Sequence, residues 1–202
     1  MNMALFGSAF VTLFVIMDPI GIIPVFLALV GKRPGAELRR LAWQAALTSL
    51  LVIAVFAAFG AQILAYLNIS LPALRVAGGL LLLLVALQLL VSGSLPTATD
   101  EDASIAMVPL GTPLLAGPGA IVVVIIMVQA STGAADLLAI AAAIVSIHLI
   151  IWACLYFSPA LARLITPAGI TVVSRVTGVL LAAIAVQLIA TGVHEFIEQW
   201  SG

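Results

Sequence analysis

The chain has 202 residues, of which 64% are apolar and only 7% charged, with a formal net charge of −1. A soluble domain carries roughly 45–50% apolar and about 25% charged residues, so water is excluded as the main solvent of this surface. The near-neutral charge and the lack of a basic stripe interleaved with aromatics argue against a nucleic-acid partner, and the bilayer becomes the expected surroundings.

A hydrocarbon core of about 30 Å needs roughly 20 residues of helix at 1.5 Å each. Residues 41–74, 76–99, 103–135, 137–162 and 176–193 contain no Asp, Glu, Lys or Arg, and each run can hold one span. The N-terminal MNMALFGSAFVTLF has no basic stretch before its apolar run and is read as a retained helix rather than a cleaved signal. With Gly and Pro as punctuation, helix 1 is predicted at about 4–30, helix 2 at about 40–66 and helix 3 at about 73–92. Helices 4, 5 and 6 follow at about 106–131, 136–162 and 173–196. The fold class is therefore an all-α integral membrane protein of six transmembrane helices, in one membrane domain over 1–202.

Two halves are visible within it. Arg75-Val76-Ala77-Gly78 and Leu80-Leu81 match Arg175-Val176-Thr177-Gly178 and Leu180-Leu181 at an offset of 100. Gln88 and Gly93 match Gln187 and Gly192 at 99, and Pro19 and Pro24 match Pro113 and Pro118 at 94. The first repeat covers 1–93 and the second 106–202, joined by a polar linker at 94–105. Three helices per repeat is an odd number, so the second copy enters the membrane upside down, the inverted-repeat pattern of secondary transporters. Short cytoplasmic loops retain Lys and Arg. Lys32, Arg33, Arg39, Arg40, Arg163 and Arg175 fall on one side and Arg75 alone on the other, which predicts both termini outside.

The candidate site lies where helices 1 and 4 are expected to be discontinuous. Asp18-Pro19-Ile20-Gly21-Ile22-Ile23-Pro24 falls in mid-helix, where each proline removes a helical hydrogen bond and clashes with the preceding turn. Freed backbone groups cannot face lipid and must be buried in protein or line a wet cavity. Half-helix N–H groups suit a carboxylate, and half-helix carbonyls suit an ammonium or a cation. Helix 4 repeats the device through Pro109, Gly111, Thr112, Pro113, Gly117, Pro118 and Gly119, where glycines let a ligand approach the backbone. The bland alternative for both segments is a proline kink that only packs. Asp18 is the one acidic residue deep in a predicted span. It either takes a proton or a substrate ammonium, or caps the second half-helix by accepting N–H bonds.

Secondary polar candidates are Thr48, Gln88, His148 and Gln187. A lone His148 is more often structural than a proton relay, and Thr48, Ser49, Ser146 and both glutamines most often hold helices together. Arg75 and Arg175 are expected to snorkel to the headgroups, and Trp43, Trp152 and Trp200 to anchor at the interface. The single Cys154 excludes an internal disulfide and a cysteine-based metal cluster. No phosphate-cradling loop, HExxH or GxSxG occurs, so no catalytic residues, no metal and no cofactor are expected, and the chain is read as no enzyme.

DPIGIIPVFL at 18–27, PLGTPLLAGPGAI at 109–121 and RVTGVLLAAIAVQLIATG at 175–192 together resemble the MarC family over essentially the whole length. The resemblance implies a multi-pass protein of the bacterial inner membrane and, from its neutral amino-acid transporters, small substrates such as glycine or alanine with ion-gradient coupling. It implies site roles for Asp18, Pro19, Gly21, Pro24, Thr112, Pro113, Gly117, Pro118 and Gly119. The leading expectation is a secondary transporter of a small neutral amino acid, with H⁺ or Na⁺ as candidate coupling ions and a homo-oligomer as a candidate assembly. Its rivals are a non-transporting membrane protein that assembles with or regulates a partner, and a passive channel.

Overall fold

The computed structural model describes residues 2–30, 33–92, 115–164 and 167–201. Among them the chain is helical, without strands: α1 (Met3–Met17), α2 (Ile22–Val30), α3 (Gly35–Tyr66), α4 (Leu71–Ser92), α5 (Pro118–Gln129), α6 (Ala134–Tyr156), α7 (Ser158–Leu164) and α8 (Pro167–Ser201). Four of these contain stretches long and apolar enough to cross a membrane: Gly35–Tyr66, Leu71–Val91, Ala134–Tyr156 and Thr171–Trp200. Large apolar side chains such as Leu51, Phe59, Leu84, Leu149, Val179 and Val186 point outward from them. A soluble protein would not leave so continuous an apolar exterior, and the chain is a multi-pass integral membrane protein.

The expected helix 1 divides into α1 and α2 around Asp18–Gly21, as the prolines require. The expected helix 5 also divides, which its reading as one span over 136–162 did not anticipate. Phe157 ends α6, its N–H still donating to Ala153 at 2.9 Å, and α7 restarts at Ser158. Pro159 is the cause, since it has no N–H for the carbonyl one turn back and its ring crowds that turn. The linker at 94–105 and the part of helix 4 before Leu115, with Thr112 and Pro113, lie outside the described residues.

Two packed groups share the interior. In the first, α1, α3, α5 and α6 close around Leu13, Ile53, Val124, Ile140 and Ile147, with Ile22 and Phe26 of α2 joining them. In the second, α4 lies along α8 around Leu82, Ala86, Leu89, Leu181 and Ala185, with Val123 of α5 completing the cluster. The pair is antiparallel: Gly79 faces Ala185 and Ile189, Gly178 faces Ala86 and Leu90, and Gly192 faces Pro72 and Val76. A Cβ on Gly79 would stand 2.6 Å from Ile189 Cγ1 and 2.8 Å from the Ala185 carbonyl. Only small residues let membrane helices approach so closely.

Polar groups in this frame are mostly paired. Arg75, expected to snorkel, instead forms an ion pair with Glu195 across the α4–α8 seam, and its side chain is largely covered. Arg175, its counterpart by sequence, is exposed. Trp43 and Trp152 meet edge to face at 6.1 Å, and Arg39 stands 4.8 Å above the Tyr156 ring beside them. That cluster of aromatics with a cation suits an interfacial position.

Candidate functional site

The site begins with where short helices stop. Asn2 caps α1, and its side-chain amide donates to Asp136 at 3.0 Å in the first turn of α6. α5 ends at Gln129, a short turn before α6 begins at Ala134. The start of α1, the end of α5 and the start of α6 therefore share one surface. At 1.5 Å per residue, the 15 residues of α1 descend about 22 Å from it and the 12 residues of α5 about 18 Å. Both helices stop inside a core about 30 Å thick, and Asp18 and Gly117 stand at similar depth.

Asp18 ends α1 in the left-handed region, with φ 39° and ψ 67°, a conformation that Asp tolerates better than most side chains. Its backbone N–H donates to Phe14 at 3.1 Å, and its carbonyl accepts from Ile22 at 3.2 Å. Its Oδ1 accepts the Gly21 N–H at 3.1 Å, so Asp18 does cap the start of α2. The second carboxylate oxygen, Oδ2, is buried and has no hydrogen-bond partner among the described residues. Gly21 is required here because a Cβ would collide with this carboxylate. Capping thus occupies one oxygen, and the other is buried against Gly21.

A cavity of about 240 Å³ is bounded by Asp18, Gly117, Pro118, Gly119 and Ala120, with Leu81, Leu82, Val85, Gln88 and Leu89 of α4 as one wall and Ile16, Met17 and Leu115 closing the rest. It is smaller than the roughly 300–1,000 Å³ that suits drug-sized ligands. Pro118 opens α5 with no N–H to offer, while the N–H groups of Gly119 and Ala120 have no partner within the helix. The helix N-terminus adds a partial positive charge. A carboxylate oxygen and a helix N-terminus on one small, mostly apolar cavity are complementary to a molecule with a cationic donor at one end and an anionic acceptor at the other.

Of the expected binding residues, Asp18, Gly117, Pro118 and Gly119 line this cavity. Pro19 and Gly21 are buried in the break and shape it without lining it, and Pro24 lies within α2. Thr112 and Pro113 are outside the described residues. Gln88 reaches the cavity, whereas Gln187 is exposed and donates to Thr191 at 3.3 Å. Thr48 is half-buried on α3 and away from the cavity.

His148 also lies elsewhere. Its Nδ1 stands 2.7 Å from the Ile144 carbonyl and its Nε2 3.1 Å from Ser49 Oγ, both buried. A carbonyl can only accept, so the neutral ring carries its proton on Nδ1 and receives the Ser49 hydroxyl at Nε2. Both nitrogens are satisfied, and the structural reading of His148 accounts for everything around it. Ser49 and His148 are 99 residues apart, matching an offset of the internal repeat, which was a usable signal for the pair. The α4 wall of the cavity had no comparable signal, because Leu81, Leu82, Val85 and Leu89 read as ordinary span residues.

Comparison with known proteins agrees with this architecture. The family model described as MarC family integral membrane protein matches residues 3–197. A UPF0056 membrane protein of Methanocaldococcus jannaschii is 36% identical, covering 96% of this chain and 98% of its own. The UPF0056 membrane proteins YhcE of Escherichia coli and YvbG of Bacillus subtilis are 32% and 30% identical, each covering 91% of this chain and respectively 89% and 91% of their own. No solved structure matches. With a family match over nearly its full length and relatives aligned end to end, the chain belongs to the MarC family of integral membrane proteins.

Proposed function

We propose that the protein is a secondary transporter of small neutral amino acids, glycine- or alanine-like, coupled to an H⁺ or Na⁺ gradient in the bacterial inner membrane, with both termini outside. The observation that carries this reading is that Asp18, an acidic residue at membrane depth, and the start of α5 line the same 240 Å³ cavity. An ionised carboxylate at membrane depth costs several kcal/mol unless paired or wetted, so a cationic group from a bound solute is its natural complement. The solute's carboxylate then meets the N–H groups of Gly119 and Ala120.

The packing supports an inverted repeat in the same reading. α2 against α6 and α5 against α3 exchange when the halves are swapped, and α3–α6 and α4–α8 each map onto themselves. Within α4–α8, the contact of Gly79 with Ala185 and Ile189 mirrors that of Gly178 with Ala86 and Leu90 at an offset of 99 residues. Repeats related in this way can rock about a site held near mid-membrane.

The test is counterflow of labelled glycine and alanine into proteoliposomes of purified protein, with and without imposed pH and Na⁺ gradients. Saturable exchange, with accumulation driven by one of the gradients, is expected and would name the coupling ion. No exchange by folded protein would overturn the reading in favour of a partner-binding role; flux that cannot concentrate solute would make it a channel.

A further inference from the structure

Gly119 and Leu82 face one another across the cavity wall. A Cβ on Gly119 would run into the Leu82 side chain, meeting Cγ at 2.6 Å after a closer approach to Cδ2. Leu82 therefore packs against the side of the first turn of α5, next to the place where the carboxylate of a bound zwitterion would sit. It is 3% exposed and is held from behind by Ala86, Leu89, Leu181 and Ala185. Its neighbours Leu81 and Val85 also border the cavity, yet Leu81 is exposed on the other side of α4. Leu82 combines a buried side chain with direct contact to the start of α5.

We propose that Leu82 is the residue that sets the upper size of the solute's side chain. This rests on the transport reading above. A ligand anchored by its ammonium at Asp18 and its carboxylate at Gly119 has its Cα between the two, and any side chain on that atom competes with the Leu82 methyls for a small volume. Glycine and alanine fit in front of Leu82, and branched side chains are turned away by overlap. The wall cannot yield cheaply, because behind Leu82 the α4–α8 seam is closed by backbone contacts at Gly79 and Gly178. A missing or added methyl group in such a pocket is worth about 10–200-fold in discrimination.

The experiment is counterflow of labelled alanine in proteoliposomes, with glycine, alanine, valine and leucine as unlabelled competitors, for the natural protein, Leu82→Ala, Leu82→Val and Leu82→Phe. Leu82→Ala is expected to improve competition by valine and leucine relative to alanine at least tenfold, with Leu82→Val shifting the same way by less. Leu82→Phe is expected to weaken alanine relative to glycine. The ratios among competitors are the readout, so a uniform loss of exchange, as a merely structural role would produce, overturns the assignment. Unchanged ratios in active variants overturn it equally. Absence of exchange by the natural protein would instead overturn the transport reading, and this proposal with it.

Discussion

Glycine meets two different fates in this molecule. Along the α4–α8 seam, Gly79, Gly178 and Gly192 bring each helix against the backbone of the other, and Arg75 is matched there by Glu195. At the start of α5, Gly119 faces a side chain end rather than a backbone, and a cavity stays open beside it with Asp18 on its edge. At these glycines the seam is closed, with each helix against the backbone of the other. The cavity is an unfinished one, and unsatisfied polar groups at membrane depth are tolerated only where they meet a ligand or water. Stability and binding are thus divided between two faces of α4: one packs on α8, and the other presents Leu82, Val85 and Gln88 to the cavity.

The sharpest way to break this division is Asp18→Asn. Asn keeps an acceptor for the Gly21 N–H, so the cap of α2 and the fold are retained, while the charge beside the cavity is removed. Losing a charge-assisted bond of roughly 1.5–3 kcal/mol is expected to lower alanine counterflow by up to about a hundredfold, with the thermal unfolding midpoint in detergent little changed. Equal loss of uptake and of folding would mean that Asp18 only holds the helix break together.

Gly79→Leu addresses the seam and should do the reverse. Overpacking against Ala185 and Ile189 is expected to cost about 1–3 kcal/mol, read as a lower denaturant midpoint, while the exchange rate per folded molecule stays close to that of the natural protein. The smallest effect is expected for Ser49→Ala. It leaves His148 Nε2 without its partner at about 1 kcal/mol, visible in unfolding and not in uptake at any pH. A changed pH profile of transport in Ser49→Ala would instead return His148 to the proton pathway.

Much of the fold was legible because its signals are local. Charge-free runs marked α3, α4, α6 and α8, and the break at Asp18–Gly21 followed from two prolines five residues apart. The break at Phe157 was missed although Pro159 stands beside it, since a single proline in a long apolar run more often kinks a membrane helix than ends it. Asp18 and the Gly117–Gly119 segment were recognisable as site candidates because charge, proline and glycine are rare or disruptive in such surroundings. Arg75 was misjudged for the opposite reason: its partner, Glu195, is 120 residues away and no spacing connects them.

By itself, then, the sequence determined the solvent, the approximate spans and the position of the helix break at Asp18–Gly21. Each of these follows from hydrophobicity or from backbone geometry within a few neighbouring residues. The tertiary structure alone decided which broken end meets which. It brought α1 and α5 to a common depth, gave one Asp18 oxygen to the Gly21 N–H and buried the other, withdrew His148 into a pair with Ser49, and made Leu82 a wall. These outcomes depend on how antiparallel helices register against one another. That register is set by many weak packing contacts among interchangeable Leu, Ile, Val and Ala side chains, none of which carries a signal alone.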